Sequence, residues 1–305
     1  MDFEKFNLQN YKDCLVVTDG KIAQLYNITG SNVFIIPRGE DAKSFYTVQE
    51  LCSWFLQKNL KRNQTVVAVG GGSVGDTVGF ACSIFKRGVN LLHVPTTLLA
   101  MVDSCVGGKT AIDHDGIKNA VGTFYQGDVL VDPEFLSTLD DTQKLNGMGE
   151  ILKYRMLTEQ VDDVYNQGDL LAVVRACFHY KLAVCEIDPF DEGIRKKLNF
   201  GHTIGHAMEL ALAIPHGLAV LNGIYYETLL ATKLGLCSND YCQKWQQEVT
   251  KLVGDIAPLT SEMLDLTLQD KKNDNNLVTF VLPRKFYEPV QLPLEQVKNL
   301  LLAEQ

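Results

Sequence analysis

The sequence predicts an α/β protein, with a parallel-sheet domain over residues 1–140 and a mostly α-helical domain over residues 141–305. Three observations predict it. The first half alternates short β-branched runs with segments of helical periodicity. Those runs are nearly continuous in apolar residues, as strands covered on both faces of a parallel sheet must be. From about residue 141 the strand-like runs give way to long helical patterns.

The elements follow in order. "CLVVTD" (14–19) and "NVFIIP" (32–37) are short strands ending at turn signals. "TVQELCSWFLQKNL" (47–60) has the apolar spacing of an amphipathic helix. "QTVVAV" (64–69) is a strand that runs into glycines and a helical segment, and "VNLLHVP" (89–95) is another strand. Helices are expected over 142–157, 168–187, 198–213 and 217–235. "LVTFVLP" (277–283) is the one clear late strand, and 293–304 reads as a terminal helix. No internal repeat or low-complexity segment interrupts this order.

Composition is that of a soluble globular protein, 46% hydrophobic and 21% charged. The net charge of −9 argues against a general affinity for nucleic acid. The eight cysteines form no C-x-x-C pair, and Cys82 and Cys177 lie in apolar runs, so they read as small buried residues of a reducing compartment. The polar start "MDFEKFNLQNYKD" has no signal-peptide core, and no apolar run reaches membrane-spanning length. A cytoplasmic protein without membrane partners is expected.

Gly70, Gly72 and Gly75 stand at G-x-G-x-x-G spacing directly after a strand. Small residues there let backbone N–H groups approach a phosphate at the positive end of a helix. A tight strand-to-helix turn needs the same glycines. The acidic residue that closes a Rossmann second strand about 20 positions on is absent from "VPTTLLA", so any dinucleotide site departs from that pattern.

His202 and His206 are four apart, which places them on one helix face. His216 follows Pro215 where the helix should end and can turn back toward that face. Glu150 starts another helix with Lys153 one turn on. Three His and carboxylate ligands with an open position suit zinc, whereas three partly buried structural imidazoles are the alternative. The order is not H-E-x-x-H, which disfavours a zincin protease. His93, His114 and His179 read as ordinary rings.

Arg87, Lys109, Lys118, Lys153, Lys181 and Arg195, with Lys271 and Lys272, place cations in the least surface-like segments of an acidic chain. A solvated face with snorkelling lysines accounts for residues such as Lys58. Lys109 and Lys118 flank glycines in loops, where a fixed cation suits a phosphate or carboxylate. A small polyanionic substrate is expected.

Taken together, "GGGSVGDTVGFAC", "KRGV", "VPTTLLAMVDSCVGGKTAID", "KNAVGTF", "GEILKY" and "RKKLNFGHTIGHAME" resemble the 3-dehydroquinate synthase family of sugar-phosphate cyclases, over residues 15 to 285. The resemblance implies an NAD-binding α/β domain, a helical metal-binding domain and an active site in the cleft between them. It implies conversion of 3-deoxy-D-arabino-heptulosonate 7-phosphate to 3-dehydroquinate and phosphate, a step of the shikimate pathway to aromatic amino acids. NAD is consumed and regenerated within one turnover. Glu150, His202 and His216 would hold a divalent metal, zinc or alternatively cobalt, while His206 would serve the substrate and its proton transfers. Substrate roles fall to Asp103, Lys109, Lys118, Asn119, Lys153, Lys181, Arg195, Asn199 and His206. Arg87 would reach a neighbouring subunit's site, which implies a homodimer. NAD contacts fall to Asp19, Glu40, Lys43, Gly71, Gly72, Asp76, Thr96, Thr97 and Leu99, with Phe135, Thr138 and Leu139 adding to that surface.

The chain departs from the family pattern in four places. The usual N-terminal strand pair is expected to be missing. Leu218 stands where a glutamate commonly follows H-G, and the stretch between His206 and His216 is short. Lys21 replaces an NAD-contacting asparagine. That glutamate is expected to support the metal ligands, so Leu218 bears on metal affinity more than on metal position. Two other enzymes compete: a sugar-phosphate cyclase making an inosose or valiolone, and a metal-dependent alcohol dehydrogenase of the glycerol dehydrogenase type. "GHTIGHA" and the Arg195–Asn199 spacing favour the dehydroquinate type. A degenerate NAD-binding regulator is the non-enzymatic alternative.

Overall fold

The computed structural model describes residues 2–269, 276–284 and 287–303. Lys271 and Lys272 of the cationic set, and residue 304 of the expected terminal helix, lie outside the described residues. The chain divides into two compact units, Met1–Lys144 with Cys177–Phe190, and Leu145–Ala176 with Asp191–Gln305.

The first unit is built on strands β1 (Asp2–Phe3), β2 (Leu15–Asp19), β3 (Val33–Ile36), β4 (Thr65–Gly70), β5 (Asn90–Pro95), β6 (Lys109–His114), β7 (Ile117–Phe124) and β8 (Asp128–Val131). Helices α1 (Gly20–Tyr26), α2 (Phe45–Gln57) and α3 (Gly72–Ile84) connect them. Six strands form a parallel sheet in the order β1-β8-β5-β4-β2-β3. The central strands carry Val16, Val17, Val66, Val67 and Val69, all with 2% exposure or less. Burial on both faces is why their sequences lack alternation. Leu51 and Phe55 of α2 and Val78 and Cys82 of α3 complete one core with Val17 and Val66.

β6 and β7 form a separate antiparallel pair that the periodicity did not reveal. Their residues mix polar and apolar types without the period of either strand or helix, and most of β7 is exposed. The turn between them is Asp115–Gly116, with φ of 48° and 76°. Positive φ at both central residues is the two-residue hairpin geometry that matches strand twist.

The second unit holds most of α4 (Asp141–Leu157), then α5 (Glu159–Asn166) and the start of α6 (Leu170–Ile187). It continues with α7 (His202–Leu212), α8 (His216–Lys233), α9 (Asn239–Val253), α10 (Ser261–Leu266), β9 (Leu277–Pro283), β10 (Tyr287–Pro293) and α11 (Leu294–Leu302). One apolar cluster joins α7, α8, α10, α11 and β9, and another joins α4, α8 and α9. The buried Arg155 guanidinium ties α4 to α5 and α9: it bonds Asp162 at 2.8 Å and Glu248 at 2.9 Å and stacks 3.8 Å over Tyr165. Losing either acid would leave a buried cation short of a partner, a costly change. Among the described residues no helix is long and apolar enough to cross a membrane.

Two expectations are corrected here. The run 198–213 is not one helix. Ile194–Asn199 forms 3₁₀ turns, Phe200 is extended at ψ 132°, and Gly201 has φ +79°. A left-handed residue cannot continue a right-handed helix, so α7 starts at His202. The late strand is also not alone. β10 pairs antiparallel with β9 along seven residues, hidden in the sequence because Pro289 and Pro293 demote a strand pattern.

Candidate metal centre and nucleotide turn

Three elements bring the histidine–carboxylate set together. α4 carries Glu150 in its interior, not at a helix start as expected, while α7 begins with His202 and α8 begins with His216. Ala213, at φ 51°, ends α7, and Pro215 precedes α8. α7 and α8 approach closely because Gly223 faces Gly201: a Cβ on Gly223 would lie 1.9 Å from the Gly201 carbonyl oxygen.

His202 Nε2 and His216 Nε2 each lie 3.2 Å from Glu150 Oε1. Glu150 is fully buried, and its other oxygen faces the buried Lys153 ammonium. The far side of each ring is also engaged. The Phe200 carbonyl oxygen lies 3.0 Å from His202 Nδ1, and a Glu209 carboxylate oxygen lies 2.9 Å from His216 Nδ1. Both can only accept, so each Nδ1 carries the proton. In the neutral rings both Nε2 atoms therefore present lone pairs to a carboxylate oxygen. Three acceptors then meet at one place, and either a proton on one ring or a bound cation resolves the convergence. The spacing also fits, since ligands at ~2.0 Å around tetrahedral zinc stand about 3.3 Å apart. The residues thus suit a divalent metal, with both histidines held from behind as metal ligands usually are.

The electrostatics agree. Burial works against ionisation of Glu150, yet Lys153, His202 and His216 together hold its carboxyl well below the usual range. Burial lowers His202. Burial also acts to lower His216, but its bonds to Glu150 and Glu209 prevail and raise it to about 9. Without metal, the shared proton therefore resides on His216.

His206 is exposed, with its ring centroid 5.2 Å from that of His202 and 5.9 Å from that of His216. It also falls within a second cluster of ligand atoms, with Glu209 and His216. An open pocket of about 410 Å³ adjoins the metal cluster, lined by Lys196, Asn199, His202, His206, Thr279 and Pro289. Arg195 is buried at 2% exposure in the 3₁₀ segment just before. Motif reading passed over Glu209 and Glu227. Glu209 had a signal, since 202, 206 and 209 repeat at i, i+4 and i+7 on one face. Glu227 had none, because its partners are backbone N–H groups.

In the first unit the glycine turn leads from β4 into α3. A Cβ on Gly71 would sit 3.1 Å from Thr97, and one on Gly72 would sit 3.2 Å from the Ser104 hydroxyl, so the backbone is closely approached on that side. Gly70, Gly71, Gly72, Asp76, Ser104 and Lys109 line a pocket of about 390 Å³ at the turn. Buried Lys43 bonds Asp76 at 2.6 Å and also contacts Asn119, which links the turn to the β6–β7 hairpin. Glu40 accepts from the Ser73 hydroxyl at 3.3 Å. Asp19 caps α1 through the Lys21 and Ile22 amides. Tyr26 of α1 bonds Thr138 at 2.6 Å and packs its ring on Phe135 in the 3₁₀ segment that ends before Leu139. Thr96 donates its amide to Gly70, and Leu99 precedes a π-helical turn, Ala100–Ser104. Asp103 in that turn pairs with Lys181 of α6 at 2.8 Å. Lys109 and Lys118 are exposed on the hairpin. Arg87 is exposed at φ 63°, next to Gly88. The expected nucleotide residues are thus gathered in the first unit, and the expected metal ligands in the second.

A parallel sheet ending in a glycine turn, followed by a helical unit that assembles a His–His–Glu cluster, is the architecture of an α/β enzyme with a candidate nucleotide turn and a candidate metal centre. Models of the 3-dehydroquinate synthase N-terminal and C-terminal regions match residues 33–146 and 147–273, and the chain belongs to the 3-dehydroquinate synthase family. It is 35% identical to 3-dehydroquinate synthase of Clostridium tetani, over 98% of this chain and 87% of that one. It is 37% identical to that of Staphylococcus aureus, over 89% and 81%. Among solved structures it resembles 2-epi-5-epi-valiolone synthase from Streptomyces hygroscopicus with NAD+ and Zn2+ bound, at a TM-score of 0.80 and 26% identity, over 95% of this chain and 90% of that one. The fold also matches that of 2-deoxy-scyllo-inosose synthase complexed with carbaglucose-6-phosphate, NAD+ and Co2+, at a TM-score of 0.84 and 23% identity, over 98% and 95%.

Proposed function

We propose that this chain is a 3-dehydroquinate synthase, a lyase that converts 3-deoxy-D-arabino-heptulosonate 7-phosphate to 3-dehydroquinate and phosphate in the shikimate pathway. The observation that carries the reading is the convergence of Glu150, His202 and His216, with both histidine Nε2 atoms 3.2 Å from Glu150 Oε1 and all three ligand atoms within 4.8 Å of one another, in a chain of this family. Those three residues would hold the divalent metal, with zinc the reading that His₂Glu ligation favours. NAD would lie against the glycine turn, contacting Asp19, Glu40, Lys43, Gly71, Gly72, Asp76, Thr96, Thr97 and Leu99, with Phe135, Thr138 and Leu139 alongside. When bound, the metal supplies polarisation of a substrate hydroxyl, and NAD supplies a reversible hydride acceptor.

The chain's own residues do the rest. Lys153 is held against Glu150 and keeps that carboxylate ionised. His206 is exposed beside the cluster, where it would exchange a proton with a substrate oxygen. Lys109, Lys118 and Asn119 provide cations and an amide for the phosphate. Arg195 and Asn199 suit the substrate carboxylate. Lys181 neutralises Asp103 and orients it. Arg87 would serve the site of a second copy, which makes the protein a homodimer. Eight free cysteines fit a reducing, cytoplasmic setting.

A coupled phosphate-release assay with heptulosonate phosphate, NAD and zinc tests the proposal. Phosphate release that EDTA abolishes, with no net NADH, supports it. Turnover of glucose 6-phosphate alone, or net NADH from a simple polyol, overturns it.

A further inference from the structure

Both histidines assigned to the metal are the first residues of their helices. A helix start leaves backbone N–H groups unpaired and carries roughly half a positive charge. A dication held there meets the wrong sign of field, twice over, with the Lys153 ammonium adding to it. Glu150 and Glu209 offset part of this charge from beside the two rings. One further carboxylate bonds the backbone at the start of α7.

Glu227 lies in α8, eleven residues after His216, and so about three turns along the same helix face. It is fully buried. One carboxylate oxygen accepts the Gly201 amide at 2.7 Å, and the other accepts the Ile204 amide at 3.0 Å. The Thr203 amide contributes as well, while burial pushes the carboxyl up to about 8. Both oxygens accept from backbone amides, the pattern of an ionised carboxylate. These amides flank His202 on both sides. No side chain at the start of α7 caps it, so Glu227 is a cap supplied from the neighbouring helix. The reach depends on the contact of Gly223 with Gly201, which lets the helices come so close.

We propose that Glu227 is a positioning residue of the metal centre: it fixes the first turn of α7, and with it the His202 ring, and it offsets the positive helix end beside the metal. The inference rests on the reading that Glu150, His202 and His216 hold the ion. Its chemistry is separate from theirs, because Glu227 acts through backbone amides.

The test uses the full chain stripped of metal, with zinc affinity measured by chelator competition and Co2+ absorption bands recorded as a geometric signature. E227Q keeps the shape but replaces one acceptor with an NH2 that opposes an amide. It is expected to bind zinc ~10- to 100-fold more weakly, the usual effect of losing a group that supports a ligand, and to shift the cobalt bands. E227D, with the charge retained, should recover part of the loss. In an H202A background the same E227Q change should cost little, since the ligand it positions is gone. Wild-type affinity in E227Q alongside loss in H202A overturns the inference, and so does a full-size E227Q effect in the H202A background. Wild-type affinity in H202A overturns the metal assignment itself. Hydrogen exchange on the unmodified protein needs no variant: zinc should slow exchange of the Gly201 and Ile204 amides, and zinc-independent exchange there also overturns the inference.

Discussion

Removing the metal should make stability fall as pH rises above about 6.5. His216 is the cause. In the folded, metal-free chain its ring lies between Glu150 and Glu209. Burial opposes its charge, but the two carboxylates outweigh burial and raise it to about 9 from an ordinary value of 6.5. The folded value lies above the unfolded one. The resulting stabilisation is therefore fully present below pH 6.5 and is lost as pH climbs through about 9. The gap between those values corresponds to a ceiling of ~3 kcal/mol. The side chain is 29% exposed, and solvent screening brings the expected loss nearer ~2 kcal/mol. Urea unfolding in EDTA at pH 6, 7.5, 9 and 10, on the unmodified chain and H216Q, isolates the effect, because all other groups titrate in both. The difference in unfolding free energy between the two should shrink across that range. Parallel curves would refute the argument. With zinc present the proton on His216 must leave, so affinity should rise steeply with pH until about 9 and then level off.

Three further outcomes follow from the geometry. His206→Ala should keep the bound metal by elemental analysis yet lose most turnover; loss of the metal would make His206 a ligand. Lys109→Ala should weaken binding of a phosphonate substrate analogue in calorimetry, and unchanged affinity would remove its anion-contact role. Gly223→Ala forces a methyl to within 1.9 Å of the Gly201 carbonyl, which should cost at least ~1–3 kcal/mol by denaturation and weaken zinc binding by parting α7 from α8. A neutral effect would contradict the close approach of the two helices.

The sequence made visible what burial and periodicity control. β2, β4 and β5 are covered on both faces, so their apolar runs could hardly belong to anything else. The β6–β7 hairpin is largely exposed, and its one strong signal, Asp115–Gly116, was a turn pair rather than an apolar run. The same division holds at the metal centre. His202 and His206 declared themselves by spacing, and Pro215 announced a chain reversal that returns His216. What spacing could not foretell was that Gly201 breaks the run 198–213 and makes His202 a helix start. That break changes the electrostatics of the whole centre: an ion held by this set would sit where two helices present their positive ends. Carboxylates must then accumulate around it beyond the one that ligates. Glu209 behind His216 and Glu227 beneath His202 fill that need, so Leu218, at the position where the family pattern puts a glutamate, leaves His216 supported from its own side of α7. The departure most visible in the sequence is thus one for which the fold supplies a carboxylate from elsewhere.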